Sequence, residues 1–352
     1  MRKIFIPLAL LVAFGVLYLV PQLHIEDAIA HQPKLKIKQA AIYVVNGESS
    51  SISIIDAEGD SVVATIDMDD DGVLWPHHIA QSKDGLTLAI GVPGMDFSHG
   101  HGHGGMMTME GKVVLVNSKT GRINDIITTP SMVHNAVITP NGEEVWTGYM
   151  SDKKIGVYNA KTGKLKTTIE VDQGPMDVQF STSGKYAYVA SQSGNVVDVI
   201  EVDSKKVVKR IPVGEAPIAP WVSANGFVYV TTEENPSLTI IDQSTNEAAP
   251  ILKLNFPPGS AAAMASDQTH TVWVTDEKNG SVHLFRNGTE QIAEISCGAG
   301  SHAITFNEAG TKAYVTNQFA NTVSVIDVAS RKVIKTIPVG KKPNGILYRR
   351  AL

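Results

Sequence analysis

Histidine and methionine are concentrated in a few places along this 352-residue chain, and those places have the donor atoms of a metal site. One stretch reads Gly94-Met95-Asp96-Phe97-Ser98-His99-Gly100-His101-Gly102-His103-Gly104-Gly105-Met106-Met107. Alternating His and Gly puts imidazoles on a backbone flexible enough to wrap an ion. Elsewhere His77, His134 and His302 each open a short apolar stretch just after a Gly- or Pro-bearing turn. Imidazole suits zinc, copper, nickel and iron, whereas thioether is a soft ligand that favours Cu(I). Met176, Met106 and Met107 beside the histidines therefore lean towards copper. A structural zinc site of the usual thiolate kind is not available, because Cys297 is the single cysteine.

Other chemistries are poorly served. No nucleophilic triad is legible, and no phosphate-binding Gly loop follows a strand and opens a helix. Net charge is −5, and no Lys/Arg run follows the N-terminus. The chain thus lacks the basic footprint that nucleic-acid binding requires.

The elements that must position these residues come from a repeat. Five units begin at Pro130, Asp172, Gly214, Phe256 and Gly298, each 42 residues after the last. Every unit alternates short apolar or β-rich runs with polar turns. Ala187-Tyr188-Val189-Ala190 corresponds to Val228-Tyr229-Val230-Thr231 and to Ala313-Tyr314-Val315-Thr316. Four short strands per period is the blade signature of a propeller. Residues 73–129 form a longer unit whose excess lies at 94–111. Residues 40–68 hold only three strands, and Pro343-Asn344-Gly345-Ile346-Leu347 supplies the fourth. The expected fold is all-β, a seven-bladed β-propeller whose first blade is closed by both N- and C-terminal strands. Such closure removes exposed sheet edges.

Tyr314-Val315-Thr316-Asn317 is a YVTN tetrad. With the repeat, it makes residues 40–350 resemble the YVTN-repeat, YncE-like β-propellers. The resemblance implies an exported propeller with a ligand or partner surface on one face. It implies no reaction, because the architecture hosts unrelated activities.

Aligning the units gives one column at the start of each innermost strand: His77, His134, Met176, Ile218, Ser260, His302 and Asn344. Innermost strands line the central channel, so His302, Asn344, His77, His134 and Met176 are expected to be contiguous at one mouth. The 94–111 insertion opens on the same face and would add His99, His101, His103, Met106 and Met107.

The N-terminus divides differently. Arg2 and Lys3 precede an uncharged apolar run, Ile4 to Val20, and then Ala28-Ile29-Ala30. Residues 1–30 read as a secretory signal, with an uncleaved anchor as the rival reading. Residues 31–39 read as a flexible lead-in, and 40–352 as one domain. The functional expectation is a periplasmic or cell-envelope propeller that binds a transition metal, copper by its ligands, for binding, sensing or redox chemistry. Its alternatives are a non-catalytic scaffold for an envelope protein and a metal-dependent lactonase- or lyase-type enzyme on a small molecule. A haem-type ligand on a channel histidine stays open.

Overall fold

The structure, a computed structural model, describes residues 35–97, 109–264 and 271–352. Among them, seven antiparallel sheets form a closed ring of blades with essentially no helix. Blade 1 pairs Ala41–Asn46, Ser51–Asp56 and Ser61–Asp67 with the C-terminal strand Pro343–Arg349. That closing strand runs antiparallel to the first, with Ile346 opposite Val44 and Arg349 opposite Ala41. Blades 2 to 7 follow in chain order. The outer strand of blade 5 is split into Glu247–Ala248 and Leu252–Lys253. Pro250 falls between the two pieces and has no N–H for the ladder.

Blades stack face to face, so the second strand of each is buried on both sides. This is why Ala41–Asn46 and Glu144–Tyr149 read as near-continuous buried runs, while outer strands such as Leu165–Glu170 are mostly exposed. The core lies between blades. Ile42, Val44 and Ile55 of blade 1 pack with Tyr314, Val323 and Val325 of blade 7. On the other face Tyr43, Ile52 and Ile54 pack with Leu88, Ile90 and Val114 of blade 2. Each such side chain contributes about 1.5–3 kcal/mol on burial, so the ring is sealed by apolar area at every joint.

The repeated tetrad positions add polar stitches. The Tyr314 hydroxyl donates to Asp60 Oδ1 at 2.9 Å, and Tyr188 donates to Asn246 Oδ1 at 2.7 Å. Each reaches the outer turn of the next blade. Burial pushes the Tyr188 phenol up to about 12, so it remains a neutral donor. Two places along, Thr316 Oγ1 donates to the Asn344 carbonyl at 3.2 Å and Thr275 Oγ1 to the His302 carbonyl at 2.6 Å. The motif thus fixes where the next blade's innermost strand begins.

The described part of the expected lead-in is docked rather than flexible. Leu35 N donates to the Thr120 carbonyl at 3.1 Å and Ile37 N to the Lys119 carbonyl at 2.9 Å. The reason is burial of Ile37 together with the fully buried Arg349, whose guanidinium donates to the Ile37 and Gln39 carbonyls at 3.2 and 3.0 Å. The expected signal lies outside the described residues. Among those described, no helix is long and apolar enough to cross a membrane.

Candidate metal centre

Blades 2 and 3 begin differently from the rest. Their innermost strands are short, Ile79–Gln81 and Val137–Ile138, against six residues in blades 4 to 7. His77, His78 and His134 therefore precede regular pairing and are held by other means. Trp75 turns the chain with φ of 54°, a left-handed conformation uncommon for a bulky residue. His77 N then donates to the Gly91 carbonyl at 2.9 Å, and Gly91 N donates to the His78 carbonyl at 3.1 Å.

Two glycines let neighbouring blades close in. A Cβ on Gly345 of the closing strand would lie 2.6 Å from the His77 carbonyl oxygen. One on Gly91 would lie 2.5 Å from the His134 carbonyl oxygen. Both histidine backbones occupy the space a side chain would need. Asn135 completes the support, donating to the Val178 carbonyl at 2.9 Å and accepting from Val178 N at 3.1 Å.

The result is a packed group of four buried imidazoles at one channel mouth. The ring of His77 lies 4.5 Å from that of His78, 4.4 Å from His134 and 5.6 Å from His302. His78 lies 4.5 Å from His134 and 5.7 Å from His302. Two overlapping sets have ligand atoms all within 4.8 Å of one another: His77, His78 and His302, and His78, His134 and Asp177. Either could hold a metal ion. Across the channel, the Trp221 indole of blade 5 stands 5.6 Å from His78, edge to face.

Carboxylates back two of the imidazoles. Asp177 Oδ1, in blade 4, lies 2.5 Å from His134 Nδ1 and is closed to solvent. Glu277 Oε1 lies 2.7 Å from His302 Nδ1, off the line of a hydrogen bond. Both ring nitrogens of His302 are buried with no hydrogen-bond partner among the described residues. A carboxylate on Nδ1 favours the tautomer in which Nε2 is the ligating nitrogen.

Of the residues expected from sequence, His77, His134 and His302 are brought together here. Met176 is beside them, buried with Phe97, Met132 and Met150 rather than facing an imidazole group alone. His99, His101, His103, Met106 and Met107 lie outside the described residues. His78, Asp177 and Glu277 join the group without having been singled out as ligands. The Pro76-His77-His78 doublet was the available signal for the first. Cys297 packs beside the blade 6–7 core, and burial raises its thiol to about 12, which makes it a poor ligand or nucleophile.

A family model described as YNCE-like beta-propeller matches residues 83–305. No curated protein matches the sequence. Among solved structures, the fold resembles a functionally unknown protein from Desulfotomaculum acetoxidans, with TM-score 0.70, 16% identity, and 89% of this chain and 100% of that one covered. It also resembles a Bacteroides uniformis structure with a provisional 6-phosphogluconolactonase name, at TM-score 0.69, 15% identity, and 89% and 100% coverage. A third is the dihydro-heme d1 dehydrogenase NirN in complex with DHE, at TM-score 0.63, 16% identity, and 90% and 77% coverage. Identities this low carry the fold alone.

Proposed function

The chain belongs to the YNCE-like beta-propeller family, and from that premise we propose that it binds a transition-metal ion, copper by its donor set, at one mouth of the central channel. The observation that carries this is the convergence of His77, His78 and His302 from two separate blades, with ligand atoms within 4.8 Å of one another. Buried imidazoles are costly without partners, and Nε2 of His302 is buried with no hydrogen bond among the described residues. An ion at Nε2 accepts its lone pair and removes that cost.

The ring spacing favours an ion over a tetrapyrrole sandwiched between the rings. Ring centroids 4.4–5.7 Å apart leave space for a coordinated atom and none for a macrocycle. Among imidazole-binding metals copper is favoured by the methionines that crowd the same mouth. The secretory signal read from residues 1–30 supports a cell-envelope location, where a copper-binding propeller would serve sensing, carriage or redox chemistry.

Elemental analysis of the protein purified from its exported form, without chelators, tests the reading. Retained copper supports it. Failure to retain any transition metal, even after loading and removal of loosely held ions, refutes it.

A further inference from the structure

We propose that Met132, Met150 and Met176 form a second, thioether subsite beside the imidazoles, one that takes a soft monovalent cation of the copper(I) type. The proposal rests on the metal reading above and extends it from one kind of donor to two.

The first ground is composition in place. Among the described residues, the cores between blades are built of Val, Ile, Leu, Ala and aromatic side chains, with Met68 their single methionine. The cluster at the channel mouth instead consists of Phe97, Met132, Met150 and Met176. Along the sequence, seven of the ten methionines belong to this mouth or its insertion: Met95, Met106, Met107, Met109, Met132, Met150 and Met176. A core that needed only volume would be served by Leu or Ile, which specify packing better than the flexible Met side chain.

The second ground is convergence. The three methionines come from the turn before the innermost strand of blade 3, the loop after its second strand, and the innermost strand of blade 4. Met150 N donates to the Met132 carbonyl at 3.1 Å, which ties two of the three segments together. All three side chains are buried, at 1%, 4% and 1% exposure. A neutral, polarisable sulfur is the donor type that binds Cu(I) and Ag(I) in preference to harder divalent ions.

The third ground is position. Phe97 belongs to the cluster, and its ring lies 6.0 Å from that of His77 and 6.1 Å from that of His134. Met132 precedes His134 by two residues, and Met176 adjoins Asp177, the partner of His134. The soft site and the imidazole site therefore share a wall. An aromatic face beside a monovalent cation adds attraction of its own. One mouth would thus offer copper two environments, imidazole for the divalent state and thioether for the monovalent.

Silver(I), which needs no reductant, and nickel(II), which avoids thioethers, separate the two. The Met132→Leu/Met150→Leu/Met176→Leu variant conserves volume, and its melting without metal checks the fold. Silver(I) affinity should fall at least about 10-fold, with nickel(II) binding as in the wild type. His302→Ala should do the reverse. Unchanged silver(I) affinity in the folded triple variant would reduce the cluster to packing and overturn the proposal. Absence of nickel(II) binding in the wild type would count against the imidazole reading instead, so the two failures are distinct.

Discussion

His134 Nδ1 lies 2.5 Å from Asp177 Oδ1, a contact that crosses from blade 3 to blade 4 with both side chains closed to solvent. Ligand atoms on one small ion are ordinarily farther apart than this. The pair is therefore a hydrogen bond that orients the ring and holds the tautomer that would ligate through Nε2.

Asp177→Asn keeps the shape but allows an amide N–H to face Nδ1, which would move the ring proton to Nε2. Copper(II) affinity should fall about 10–100-fold with the set of coordinating nitrogens unchanged in its electron paramagnetic spectrum. Asp177→Glu should recover part of the loss. A wild-type affinity in Asp177→Asn would show that the carboxylate has no part in the site.

Arg349 joins the closing strand to the lead-in, donating to the Tyr43 hydroxyl at 3.1 Å and to the carbonyls of Ile37 and Gln39. Arg349→Ala would leave buried acceptors unmet and a cavity behind them. Stability should drop by about 2–5 kcal/mol, and the amides of Leu35 and Ile37 should exchange faster. Unchanged exchange at those two amides would contradict the role given to the guanidinium.

Glu144 links acid sensitivity to blade 3. Burial raises its pKa, but Lys166, the Trp146 indole N–H at 3.0 Å and Lys205 at 3.1 Å outweigh that, and the carboxyl ends below its ordinary value. A depressed folded pKa means the stabilisation is complete above the unfolded value of about 4.3 and is lost as pH falls through the folded one. Wild type should exceed Glu144→Gln by about 1–3 kcal/mol at pH 7, with the gap shrinking below about pH 4. Urea denaturation at pH 7 and pH 3 measures it, and an equal gap at both would be contrary.

Much of this architecture is legible in the residues. The period carries the ring, because Tyr188, Tyr229 and Tyr314 recur at one strand position and Pro343 to Leu347 completes the three-strand start. The column His77, His134, His302 is legible for the same reason, since innermost strands share an axis. What escapes is what departs from the period. His78 follows His77, and strict strand alternation would send it to the other face. The chain at 75–78 is a turn before the strand, so alternation does not hold there. Glu277 and Met132 arrive from loops whose paths no repeat dictates. His283 lies outside the mouth column; it is buried and stacked on Phe256 at 3.9 Å, so its loss should disturb blade 6.

The copper(II) affinity of His302→Ala relative to wild type tests the central claim most directly. His302 reaches the group from blade 7, and only a channel site needs it. The account predicts a loss of at least about 10–100-fold, with the same loss in His134→Ala and a fold intact by circular dichroism. Wild-type affinity in His302→Ala, with binding abolished by deletion of residues 98–107, would place the ion on the inserted His-Gly segment and contradict the channel site.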